Sequence, residues 1–202
     1  MDDGLRAELL RRVEKDQVAR KAMDHEGMRE ADGENLPWLK AVIAEHGWPG
    51  VSLVSADGAH AAWLLAQHAD ADPGFQRQCL DLLTAAVEAG EATKRELAYL
   101  TDRVLLAESR QQEYGTQLTA RGGRWVPRNL RDPEGVDARR AAAGLDTIAE
   151  YLTLFTEPPE PSQFKCDECD GQVPWEMPDD LSQPLTVTCP ECGHEMTLTF
   201  RH

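Results

Sequence analysis

The fold class the sequence predicts is mainly α: a helical domain with one short β-hairpin, followed by a small β appendage near the C-terminal end. Three observations predict it. Apolar residues recur at helical spacing through about the first 155 residues. Aromatic residues make up 6% of the chain, too few for a β-sandwich and in keeping with an Ala/Leu-rich helical body. Four of the five cysteines gather late in the chain as two C-x-x-C pairs, beside short segments that alternate apolar and polar residues. With 41% hydrophobic and 28% charged residues, the chain can bury a core and does not have a disordered composition.

Each helix has its own signals. Leu5, Leu9, Val13 and Gln17 begin an amphipathic first helix running toward Arg29. Asn35 before Leu36-Pro37-Trp38 reads as the capped start of a second helix, which Gly47 stops, and Trp48-Pro49-Gly50 follows as a turn. A third helix carries Ala61, Trp63, Leu64, Leu65 and His68. Asp72-Pro73 opens a fourth that ends at Gly90, because proline is well tolerated at the first helical position. Thr93 and Glu96 have capping-box spacing ahead of Leu97, Leu100, Val104 and Leu105. Tyr114 to Pro127, with Gly122-Gly123 inside it, is the hairpin candidate, and a last helix spans Val136 to Phe155. The helical domain is therefore residues 1–155, residues 156–163 are a Pro-rich polar linker, and residues 164–202 form the appendage.

The appendage has a specific chemistry. Cys166-Asp-Glu-Cys169 and Cys189-Pro-Glu-Cys192 stand roughly 15–20 residues apart, the spacing of a zinc site. Each C-x-x-C forms a knuckle that aims two thiolates at one point, and two knuckles complete a tetrahedron around Zn²⁺. Asp170-Gly171 and Gly193 suit the knuckle turns, and strands flank the second pair. This is the pattern of a zinc ribbon. Two disulfides are the competing reading, disfavoured in a chain without an export signal, which reads as cytoplasmic. Four thiolates fill the metal's shell, so the zinc is expected to be structural.

Charge excludes some partners. Asp and Glu number 36 against 21 Lys and Arg, a net charge of −15, whereas an electrostatic nucleic-acid binder needs a cationic face. From Glu157 to His202 there are ten acids against Lys165 and Arg201, so the ribbon suits a basic protein surface and not a phosphate backbone. No apolar run reaches the roughly 20 residues that span a bilayer.

Several residues of the helical domain can carry chemistry. His68, in Gln67-His68-Ala69-Asp70, serves either as a cation at a helix C-terminus or as a general acid or base. Asp102-Arg103 lies within an apolar helical pattern, so one of the two grazes a buried face; a surface pair is the plainer alternative. Tyr114, Thr116 and Gln117 form a polar loop that either caps a helix or lines a pocket. Arg121, Arg124, Arg128, Arg131, Arg139 and Arg140 fall close together, as an anion site or as partners for the many acids. No Walker loop, G-x-G-x-x-G fingerprint, G-x-S-x-G elbow or H-E-x-x-H pair is present, and Cys79 among leucines fits core packing.

The ordered set Trp48-Pro49, Gln67-His68-Ala69-Asp70, Ala98 to Val104, Tyr114 to Gln117, Asp137 to Arg140 and Gly144-Leu145 resembles an uncharacterised bacterial family of unknown function, over about Leu36 to Leu152. The resemblance implies a compact, mainly helical domain whose polar motifs recur together, and it supplies no reaction. The ribbon lies outside it.

Two readings follow. In one, the domain binds a small anionic ligand or substrate, with His68 as acid or base, Asp102 orienting it, and Arg103, Tyr114, Thr116, Gln117 and Arg139 holding the ligand. In the other, the polar motifs lock the helices together and the acidic ribbon docks on a basic partner. Six polar motifs in one small domain exceed what packing normally needs, which favours the ligand.

Overall fold

A computed structural model describes residues 1–155, 162–175, 178 and 183–199. The chain forms two compact units, Met1–Ala107 and Glu108–His202. The fold is mainly helical, as expected, with small antiparallel hairpins in the second unit.

The first unit holds α1 (Asp3–Lys21), α2 (His25–His46), α3 (Val51–Gln67), α4 (Pro73–Glu88) and α5 (Lys94–Ala107). Its starts are chemically explicit. Asp2 caps α1 by accepting from the Leu5 N–H, Asp72 caps α4 by accepting from the Phe75 N–H, and Thr93 and Glu96 form the predicted box at α5. Leu9 of α1, Leu39 and Ile43 of α2, Val54 and Leu65 of α3, Cys79 and Leu83 of α4, and Leu100 and Val104 of α5 meet in one core.

Two sequence expectations change here. The first helix does not run to Arg29: Met23 takes a left-handed φ of 53°, and Asp24 then caps α2 through the Glu26 and Gly27 N–H groups. Asn35 does not cap a helix start; it is buried within α2, where its Oδ1 accepts from Arg12 Nη1 of α1 at 3.1 Å. The helix continues through Pro37, and its apolar side stays packed by Ala31, Leu39, Val42 and Ile43. The third helix carries Ala61, Trp63, Leu64 and Leu65 as expected, with His68 as its C-cap; it starts at Val51 and is kinked at Ser55, whose φ of 63° and ψ of 172° belong to a region that is essentially glycine's.

The second unit starts with β1 (Leu118–Arg121) and β2 (Arg124–Pro127), an antiparallel hairpin. Gly122 and Gly123 both take positive φ, the tight-turn geometry a Gly-Gly pair allows. A 3₁₀ turn (Pro133–Gly135) leads into α6 (Val136–Ala142) and α7 (Ile148–Leu152). The expected single helix from Val136 to Phe155 is thus two. Gly144, with φ of 71°, ends the first, and a Thr147–Glu150 capping box starts the second.

The remaining strands, β3 (Ser162–Lys165), β4 (Gln172–Trp175), β5 (Leu185–Thr188) and β6 (Glu195–Leu198), form two antiparallel hairpins around Cys166, Val173 and Cys189. Residues 156–161 of the expected linker lie outside the described residues, while its last two, Ser162 and Gln163, begin β3. No described helix is long and apolar enough to cross a membrane.

Two outcomes are expected. Ser55→Gly relieves the backbone strain and raises stability by about 1 kcal/mol, the strain less the added unfolded-state entropy; an unchanged or lower urea midpoint would contradict this. Glu96 also bonds His60 Nδ1 at 3.0 Å. Burial raises its pKa, but His60 and Thr93 outweigh burial and hold it below the usual value. Its folded pKa is depressed, so its contribution is full above the ordinary carboxylate range and falls away as pH drops through the folded pKa. The stability gap between wild type and Glu96→Gln should therefore close below about pH 4. A gap that widens in acid would refute the pairing.

Candidate metal centre and the buried polar cluster

Sulfur geometry defines the C-terminal site. The loop between β3 and β4 carries Cys166 and Cys169, and the loop between β5 and β6 carries Cys189 and Cys192. Each loop folds back by the same pair of bonds: Cys166 N–H to Gly171 O at 2.8 Å and Asp170 N–H to Cys166 O at 3.0 Å, then Cys189 N–H to His194 O at 2.8 Å and Gly193 N–H to Cys189 O at 2.9 Å. The two turns bring Cys166 Sγ to 3.7 Å from Cys192 Sγ and Cys169 Sγ to 3.6 Å from Cys189 Sγ. All four sulfurs lie within 4.8 Å of one another, a set that can hold a metal ion. A disulfide bond is near 2.05 Å, so these cysteines are free.

The cluster is electrostatically unsettled without a cation. The Cys192 and Glu191 N–H groups hold the Cys189 thiol down at about 7. The Gly171 N–H lowers Cys169, yet the surrounding sulfurs push it up to about 12. Four thiolates cannot share this volume unless a positive ion compensates them. The two hairpins and their cysteines fit a small zinc ribbon.

In the first unit, His68 is the C-cap residue of α3. Its Nδ1 lies 3.0 Å from Oδ2 of Asp16 on α1. Asp16 is fully buried, accepts from Gln17 Nε2 at 2.9 Å and is paired with Arg20 Nε at 2.8 Å. Arg20 reaches onward through Nη2 to Asp32 Oδ1 of α2 at 2.5 Å. Burial pushes the Asp16 carboxyl up, but His68, Gln17 and Arg20 outweigh it and hold its pKa below the usual value. Burial dominates at Asp32, which stays raised despite Arg20.

Neither Asp16 nor Asp32 was among the residues that sequence reasoning selected. Asp16 had a signal: it falls three residues after Val13 and seven after Leu9, a charge in the apolar row of the first helix. Asp32 had none, because the second helix was expected to start after it.

Other selected residues have defined places. Asp102 is fully buried in α5. Arg103 makes a two-pronged bond to Asp70 at 2.8 and 2.7 Å, so the Gln67–Asp70 and Ala98–Val104 motifs do meet. Cys79 is a core thiol that burial raises to about 12, which suits packing and not nucleophilic attack.

In the second unit, Tyr114, Thr116 and Gln117 lie on a loop that Gln112 organises. Gln112 is fully buried; its Oε1 accepts from the Gln117 N–H at 3.0 Å, and its Nε2 donates to Gln117 O at 2.9 Å and to Arg128 O. Arg139 donates to the Glu113, Arg131 and Asp132 carbonyls and to Asp132 Oδ2. Arg140, almost fully buried, donates to the Tyr114 and Asp146 carbonyls and stacks 4.8 Å over Tyr151, whose hydroxyl donates to Thr116 O. Arg131 pairs with Glu113. These three arginines therefore have partners inside the fold.

Family comparison agrees with the helical architecture. The model of a family of unknown function, DUF6624, matches residues 3–159. The chain belongs to that family. The match begins well before Leu36, so it takes in α1 and α2 with Asp16, Arg20 and Asp32. The described ribbon strands, from Ser162 onward, lie outside it. No curated protein and no solved structure matches the chain.

Removing metal with a chelator is expected to abolish protection of the β3–β6 amides in hydrogen exchange while the α1–α5 amides stay protected. Equal loss in both regions would show that the cysteine cluster does not act locally.

Proposed function

We propose that this chain is a zinc-binding protein in which Cys166, Cys169, Cys189 and Cys192 hold a structural Zn²⁺ and the helical domain binds a small anionic ligand beside His68. The observation that carries the four-cysteine metal site is the sulfur separation, and the ribbon spacing of the two C-x-x-C pairs favours zinc. A tetrahedron with metal–sulfur bonds of about 2.3 Å has edges of about 3.8 Å, against the 3.7 and 3.6 Å found. When bound, the ion supplies cross-linking of the two hairpins and no reaction chemistry, because four thiolates leave no open position.

For the helical domain, support comes from the fully buried Asp16 and Asp102, and from a histidine whose Nδ1 is shielded from solvent 3.0 Å from a carboxylate oxygen. Asp16 is the group placed to orient the His68 ring. With that partner the ring suits proton transfer to a bound substrate, and Arg103, steadied by Asp70, suits a negative group. Tyr114, Thr116, Gln117 and Arg139, in the second unit taken by itself, are proposed to bind a ligand on the sequence argument alone.

A second reading has its own observation. Arg139 directs its donors to carbonyls and a carboxylate of its own loop, which is what a motif that locks the fold does. On that reading the acidic ribbon docks on a basic protein surface.

Two measurements test the proposal. Elemental analysis of the full chain purified without added metal should find one zinc per chain, lost in Cys169→Ser; iron, or zinc retained in that variant, would overturn the assignment. Urea unfolding should find His68→Ala, Asp102→Asn and Gln117→Ala neutral or stabilising, as for groups held for a ligand, and phosphate should raise the Tm of wild type but not of His68→Ala. A loss of about 1–3 kcal/mol in all three variants is what structural hydrogen bonds would give, and would favour the docking module.

A further inference from the structure

A small anion beside His68 faces an obstacle. Asp16 and Asp32 bring two carboxylates to the ring, and Arg20 neutralises one of them. Beside the imidazole one carboxylate charge therefore stays without a cation of its own, and it repels an anion unless a further cation is present. Geometry shows where that cation fits. One donor atom each from Asp16, Asp32 and His68 lies within 4.8 Å of the others, in a cluster drawn from α1, α2 and the end of α3. Arg20 takes Oδ1 of both carboxylates, which leaves the Oδ2 edges to other partners.

The second observation is the direction of the imidazole. His68 Nδ1 is buried from solvent and 3.0 Å from Asp16 Oδ2, yet it makes no aligned hydrogen bond to any described residue. A donor and an acceptor that bond each other point at one another. Two ligands of one ion point past each other, at a shared third position. The close approach without alignment fits the second arrangement.

We infer that Asp16, Asp32 and His68 form a binding site for a divalent first-row metal ion, separate from the four cysteines. The inference rests on the reading of the His68 surroundings as a ligand site and names what that site takes first. The donor set, one imidazole with two carboxylates, suits harder divalent ions, whereas the tetrathiolate cluster selects softer ones. Gln17, donating to Asp16 Oδ2, and Arg20 act as outer groups that fix the carboxylates. The ion would replace the missing positive charge and give an anionic ligand something to bind.

The test uses the full chain with its cysteine site already zinc-loaded, titrated with Mn²⁺ alone, free Mn²⁺ being counted by electron paramagnetic resonance. One Mn²⁺ per chain should bind at micromolar concentration. Asp16→Asn and His68→Ala should each weaken it more than tenfold, and Asp57→Asn, a carboxylate paired elsewhere with Arg6, should leave it unchanged. Should either site variant lose its helical circular dichroism, pulsed resonance of the wild-type protein decides. Coordinated-imidazole nitrogen must be seen, and it must persist in His194→Ala, which removes the histidine beside the cysteine cluster. Absence of binding below millimolar Mn²⁺, binding without the nitrogen signal, or binding undiminished in folded site variants overturns the inference. A chain whose Tm rises with phosphate but which takes up no Mn²⁺ loses this inference and keeps the ligand reading.

Discussion

Complete burial of the Asp16 carboxylate is the constraint on which the first unit's polar interior depends. A carboxylate out of water must be paired and hydrogen-bonded, since removing a single partner of a buried charge costs about 3–5 kcal/mol. Within α1 the fold meets this with Arg20, one helical turn along, and Gln17, the adjacent residue. Arg20 in turn ties α1 to Asp32 of α2. One buried charge thereby ties α1 to α2.

The second unit relies on a different device. Its loops have few neighbouring strands to bond their carbonyls, so long side chains do it. Gln112 satisfies the 117 and 128 carbonyls, Arg139 those of 113, 131 and 132, and Arg140 those of 114 and 146. Buried backbone acceptors need partners wherever they fall, and here the charged guanidinium supplies them. In the ribbon, thiols and their N–H donors take over, and two small hairpins that enclose few apolar residues are organised around the sulfurs.

What the sequence made legible was local. Asp72-Pro73, the Thr93–Glu96 box, Gly122-Gly123 and the two C-x-x-C pairs each act within a few residues, and each lies where it was expected. What was hidden depended on distant partners. Asn35 looks like a cap until Arg12 of another helix claims its side chain. The break at Met23 needs a left-handed methionine, with no glycine or proline to announce it. His68 was legible as a residue at a helix end. Its partner was not, because Asp16 stands 52 positions earlier and reads locally as one more charge on an acidic helix.

The central claim is that the carboxylates and imidazole of the first unit converge on a bound species and not merely on each other. Crystals of the zinc-loaded chain soaked in Mn²⁺, with diffraction recorded at the manganese absorption edge, test it most directly. The account predicts an anomalous peak among Asp16, Asp32 and His68, about 2.0–2.4 Å from a carboxylate oxygen and from His68 Nδ1. A map without that peak, in which Nδ1–H donates straight to Asp16 Oδ2, would contradict it.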